Sequence, residues 1–107
     1  MLRIVEVALR LIGPGMKIAE EIGRHDRNHA EQLRQSLPSV VLNLAEGSGS
    51  RGGNRTLRYA NAGASARESW ANVRVAQEAG WVRAVDPRFL ADLNHVTAVC
   101  VKLTRGK

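Results

Sequence analysis

The sequence has few aromatic side chains, a single cysteine and no long apolar run. Tyr59, Trp70, Trp81 and Phe89 are its only aromatic residues in 107 positions. A β-sandwich core favours aromatic and β-branched alternation, so that architecture is disfavoured. A core of Leu, Val, Ile and Ala suits close-packed helices. Cys100 closes no internal disulfide and makes no zinc site alone. Its place on an apolar helical face marks it as a small buried hydrophobe. The lack of paired cysteines is compatible with a reducing compartment, and a cytoplasmic location is expected. No apolar stretch approaches about 18 residues, so no membrane-spanning helix is expected. Glu6 and Arg10 interrupt the apolar start from Met1 to Ile12, and no small-residue cleavage site follows. That start is read as a helix rather than a signal peptide.

Recognisable catalytic patterns are also missing. Ser36, Ser39 and Ser48 have no histidine at a nucleophile–base spacing, and carboxylates pair only as helix neighbours. The chain is expected to be non-enzymatic. His25 and His29 stand at metal-ligand spacing without a third ligand beside them. Glu21 and Asp26 could complete a site only through folding, and His95 is less informative still. No metal or cofactor is expected. The segment Gly47-Ser48-Gly49-Ser50-Arg51-Gly52-Gly53 suggests a phosphate loop, but it lacks the lysine and the preceding strand. It is a weak anion-binding candidate, a flexible connector and a hinge.

What is present is helical periodicity. Residues 1–107 are read as one domain with four helices. The first is expected from about Leu2 to Gly23, with Leu2, Val5, Ala8, Leu9, Ile12, Met16, Ile18, Ala19 and Ile22 as its apolar positions. Gly13-Pro14-Gly15 either kinks it or divides it in two, with Pro14 restarting the second part. Glu6 with Arg10, and Glu20 with Arg24, are expected i,i+4 pairs. Arg3, Arg10, Lys17 and Arg24 recur every seven residues as a solvated stripe. The second helix opens at Asp26 or Asn28, loosens at Pro38 and ends at Gly47 as a left-handed cap. The third is expected from Asn54, as N-cap, to Gly80. Its inner side is assigned to Leu57, Ala60, Ala64, Ala66, Trp70, Val73, Ala76 and Gln77. The small residues from Ala60 to Ala66 suit close helix approach, including approach by a neighbouring subunit. The fourth has Asp86 as N-cap, Pro87 at its first position, and a seam of Phe89, Leu93, Val96, Cys100 and Leu103. Lys102, Arg105 and Lys107 suit the negative end of its dipole. Short connections favour antiparallel neighbours, hence an all-α, antiparallel up-and-down four-helix bundle.

Charge is unevenly placed. The net charge is +6, and residues 1–46 hold six basic and six acidic side chains. The whole excess lies in residues 47–107, with ten basic and four acidic. Between Gly47 and Arg67 there are four arginines and no acid. Such a field attracts polyanions or acidic protein surfaces. Arg51, Arg55 and Arg58, at i, i+4 and i+7, are expected to share one face beside the glycine-rich segment. Arg67 and Arg74 form a second i,i+7 pair. Clustered arginine can contact phosphate without a fixed motif. A solvated basic face is the simpler alternative. Stacking on single-stranded RNA has little aromatic support.

Residues 32–49 carry a family likeness. Gln32-Leu33-Arg34 and Asn43-Leu44-Ala45-Glu46-Gly47-Ser48-Gly49 resemble the hallmark of the bacterial four-helix bundle family, which includes proteins encoded in 23S ribosomal RNA intervening sequences. Ala64-Ser65, Glu68 and Ala76 through Gly80-Trp81-Val82 are similar to its later positions. The resemblance implies a homo-oligomeric ring, commonly a pentamer. It also implies kinship with accessory proteins of diversity-generating retroelements, which partner a reverse transcriptase and RNA or DNA. A protein-interaction scaffold is the alternative function. Three departures stand out: Val41 where the family usually has proline, the Gly-Pro-Gly break, and Trp70 at a second acidic position. Asn43, Glu46 and Gly47 are read as structural, with Asn43 and Glu46 tying the end of their helix to the next.

Overall fold

The computed structural model describes residues 2–105, and every regular element among them is an α-helix. In chain order these are α1 (Arg3–Arg10), α2 (Ile12–Gly23), α3 (Arg27–Ser48), α4 (Gly52–Ala79) and α5 (Pro87–Arg105). α3 packs against α1, α2 and α4, and α5 packs against α4 and α1. The bundle measures 42 × 23 × 19 Å. None of the described helices is long and apolar enough to cross a membrane.

The break in the first helical arm falls at Leu11, before the Gly-Pro-Gly segment. Pro14 has no N–H to offer the Arg10 carbonyl four residues earlier. The turn tightens there: the Leu11 N–H donates to the Ala8 carbonyl at 3.1 Å, and the Gly15 N–H donates to Leu11 at 2.9 Å. Leu11 stays in right-handed helical geometry at φ −82°, ψ −17°. Ile4, Val5, Ala8 and Leu11 form the buried stripe at ordinary helical spacing, and the expected core residue Leu9 is 46% exposed. Gly15 is buried because α2 passes so near α3 that a Cβ would collide with the Leu37 side chain.

Asp26 rather than Asn28 caps α3; its Oδ1 accepts from the His29 N–H at 2.8 Å. α3 continues through Pro38 to Ser48. Gly47 is therefore an interior helical residue and not the expected left-handed cap. Its constraint is space: a Cβ would lie 2.5 Å from Tyr59 Cε1. The connector shrinks to Gly49–Arg51 between the two helices. Asn54 lies inside α4 rather than capping it. Arg51 takes the cap position in extended geometry, without a side-chain cap bond, and Asn54 Nδ2 donates to Ser50 Oγ at 3.1 Å.

The inner face of α4 also differs from expectation. Tyr59, Ala62, Gly63, Ala66, Ser69, Asn72, Val73 and Ala76 are buried. Leu57 is 55% exposed, and Ala60 and Ala64 also face outward. Small residues occur on every side of α4, so no apolar stripe marks the inward direction. Gly80, at φ +78°, ends the helix in left-handed geometry that other residues rarely adopt.

α5 follows its sequence pattern. The Asp86 carboxylate accepts from the Arg88 N–H at 2.9 Å. Phe89, Leu93, Val96 and Cys100 are buried in succession. Each large apolar side chain so buried contributes about 1.5–3 kcal/mol relative to exposure. Burial pushes the Cys100 thiol up to about 11 by penalising its thiolate. Lys102 and Arg105 stand in the last turn, whereas Lys107 lies outside the described residues.

Ion pairs add little to this frame. The expected pairs Glu6–Arg10 and Glu20–Arg24 do not close; the bridges among the described residues are Arg34–Glu31, Arg58–Glu46 and Arg74–Glu78. Exposed pairs contribute about 0–1 kcal/mol each once the ordering of two long side chains is counted. Glu21 instead accepts from the Arg83 N–H at 2.8 Å, tying the α4–α5 connection to α2.

Candidate nucleic-acid interface

The fold divides the five arginines by the company each keeps. Arg51 precedes the first turn of α4 and is exposed. Arg55 is exposed one turn later, but its Nε donates back to the Ser50 carbonyl at 3.1 Å. Both stand beside the short connector. Arg51 is the extended N-cap of α4, and its carbonyl accepts from the Arg55 N–H at 3.4 Å.

Arg58 is committed elsewhere. Its guanidinium lies 3.2 Å from the Glu46 carboxylate and donates to Asn43 Oδ1 at 3.4 Å. Glu46 and Asn43 lie three residues apart on α3, so both reach across to the same α4 residue. The Arg58 Nε is buried without a partner. Losing this guanidinium to a phosphate would leave Glu46 and Asn43 without it.

The contact continues as a ladder of short polar side chains. Asn43 Nδ2 donates to the Ser39 carbonyl at 2.9 Å. Ser39 and Ser65 hydroxyls meet at 2.9 Å. Ser36 and Ser69 hydroxyls meet at 2.6 Å, fully inside the bundle. Each of the two also reaches a carbonyl on its own helix, Ser69 that of Ser65 at 2.9 Å and Ser36 that of Leu33 at 3.4 Å. These small, paired groups and Gly47 let α3 and α4 run close together. Serine spacing of three on α3 and four on α4 was the available sequence signal for this ladder.

Arg67 lies on the side of α4 toward α5. Arg74 is held within its own helix, donating to Gln77 Oε1 at 2.6 Å and Glu78 Oε2 at 3.3 Å. Arg67 is exposed and lines an open groove of about 290 Å³ with Gly63, Cys100 and Arg105. Arg105, at the dipole-negative end of α5, stands beside Arg67 because of how α5 packs on α4. Among the described residues, Arg51, Arg55, Arg67 and Arg105 have no carboxylate within 4.0 Å. Arg51 and Arg55 thus stand at the connector end of α4 and Arg67 and Arg105 in the α4–α5 groove, while Arg3, Arg10, Arg24, Arg27, Arg83 and Arg88 are likewise exposed without such a partner.

No protein-family model, curated protein or solved structure matches the chain.

Proposed function

We propose that this chain is a non-enzymatic, cytoplasmic, basic bundle protein that assembles with copies of itself and acts as an accessory factor on nucleic acid. The observation that carries this reading is the set of exposed arginines at 51, 55 and 67, without acidic partners among the described residues. They belong to the half of the chain that holds its whole excess charge. Arginine free of internal carboxylates is available to phosphate, and a ring of five copies at +6 would total roughly +30 before screening. Arg58 and Arg74 have a smaller share in this reading, because their guanidinium groups are already engaged.

An antiparallel up-and-down arrangement and the likeness to the bacterial four-helix bundle family belong to the same proposal. Pairing of Gly47 with Tyr59, Ser39 with Ser65 and Ser36 with Ser69 supports antiparallel α3 and α4, since the numbers run in opposite directions. The family likeness favours a pentameric ring and names a reverse transcriptase as the candidate protein partner. The exposed outer face of α4, with Leu57 at 55% and Val75 at 46%, supports assembly through that helix.

The same apolar exposure favours a second reading, a protein-interaction scaffold whose charge serves solubility. Labelled structured RNA and duplex DNA titrated with the protein at near-physiological salt, and again across salt, separate the two. A linear fall of log affinity with log salt supports the accessory factor. No binding at physiological salt places the scaffold first.

A further inference from the structure

The groove between α4 and α5 differs from the chain's other basic surface in what lies beneath the charge. Its volume of about 290 Å³ is near the lower limit of small-molecule clefts, about 300–1,000 Å³. The two helices approach closely at Gly63, where a Cβ would lie 3.0 Å from the Cys100 Cβ. Arg67 stands one turn beyond Gly63 on α4, and Arg105 more than one turn beyond Cys100 on α5. Both guanidinium groups line the groove, and no carboxylate does. The hollow that holds Arg10 and Arg88 is unlike it, because Asp86 and Asp92 share that lining.

The floor beneath the two arginines is neutral and apolar. Burial keeps the Cys100 thiol protonated. The Thr104 hydroxyl is engaged, donating to the Cys100 carbonyl at 2.7 Å. Val101 lines the groove and is 36% exposed there. A sugar–phosphate backbone could use the same guanidinium groups but would leave this floor uncovered. A ligand that covers it carries apolar surface next to its negative charge.

We propose that this groove binds a small amphipathic anion, a carboxylate or phosphate head on a short, single apolar chain. Arg67 and Arg105 hold the head, since the guanidinium fork matches both oxyanions. The chain lies on the floor along Gly63 and Val101. Apolar lining with a few placed polar groups is the usual make-up of such sites, including those between helices of a bundle. The proposal stands apart from the nucleic-acid reading, and its test contains no nucleic acid.

Calorimetry on the full chain tests it with butanoate, hexanoate and octanoate, each below its micelle concentration, and with octyl phosphate. Octanoate or octyl phosphate should bind at one saturable site, and the tighter of the two identifies the preferred head. Affinity should rise about fourfold from hexanoate to octanoate, half the free-energy gain of full methylene burial, because the groove is open. Inorganic phosphate, which has no chain, should not compete. Arg67→Ala and Arg105→Ala should each weaken binding about fivefold. Val101→Glu, an exposed position whose change keeps the fold, should weaken it at least about tenfold by placing a like charge on the floor. Arg88→Ala, in the other two-arginine hollow, should leave it unchanged. Absence of saturable binding by both octyl ligands would overturn the proposal. So would equal affinity along the chain-length series, binding that survives Val101→Glu, or a loss in Arg88→Ala as large as in Arg67→Ala.

Discussion

α5 and α4 lie side by side and are built on different principles. α5 buries Phe89, Leu93, Val96 and Cys100 at regular helical steps. α4 buries Gly63, Ser69 and Asn72 among its alanines and leaves Leu57 in solvent. The first helix is held by apolar area, which depends little on the partner's exact shape. The second is held by close approach and paired polar groups, which depend on it strongly. A helix of the second kind keeps its exterior free for charge, and α4 carries Arg55, Arg58, Arg67 and Arg74 within its length.

The largest effect should come from the α5 seam. Leu93→Ala should cost about 3–4 kcal/mol in urea unfolding, as deletion of a fully buried leucine does. Gly47→Val probes the α3–α4 approach and should cost about 2–3 kcal/mol by forcing its Cβ onto Tyr59. Adding Tyr59→Leu should recover part of that loss, whereas the same change should do nothing for Leu93→Ala. Strict additivity of Gly47→Val with Tyr59→Leu would contradict the close-approach account.

Smaller effects test the ladder. Ser36→Ala breaks the buried hydroxyl pair with Ser69 and should cost about 1 kcal/mol. Ser36→Ala with Ser69→Ala should cost less than the two single changes together, because the double variant removes both polar groups. A further effect, seen only at alkaline pH, lies where α5 meets α4. The Cys100 thiol titrates near 9 when unfolded and near 11 when folded. Its contribution is therefore complete below pH 9 and is lost as pH rises toward 11. Alkaline unfolding midpoints should fall over that window, and Cys100→Ala should flatten the fall.

The same contrast explains what could be read from the sequence. The α5 seam and the Asp86 cap follow directly from apolar spacing and side-chain chemistry. Asp26 and Gly80 mark their helix ends for the same local reasons. The inner face of α4 was not legible, because Ala and Gly on all sides give no preferred direction and Leu57 suggested the wrong one. Gly47 looked like a helix terminator because glycine has two uses, and only the position of Tyr59 distinguishes them. Arg58 looked like a phosphate ligand beside Arg51 and Arg55. Its engagement with Glu46 and Asn43 depends on how α3 and α4 are paired, a long-range fact that charge spacing does not contain. The Leu11 break precedes the Gly-Pro-Gly segment because proline disrupts the carbonyl four residues behind it.

The salt dependence of nucleic-acid binding by three forms of the protein tests the central claim most directly. These are the unmodified chain, the triple variant Arg51→Ala, Arg55→Ala, Arg67→Ala, and the single variant Arg58→Ala. Each lost phosphate contact should lower the slope of log affinity against log salt by about 0.9 on duplex DNA. The account predicts a slope reduced by about two to three in the triple variant. Arg58→Ala alone should lower the slope by less than about 0.9. An unaltered slope in the triple variant, or a loss of slope in Arg58→Ala as large as in the triple variant, would contradict it.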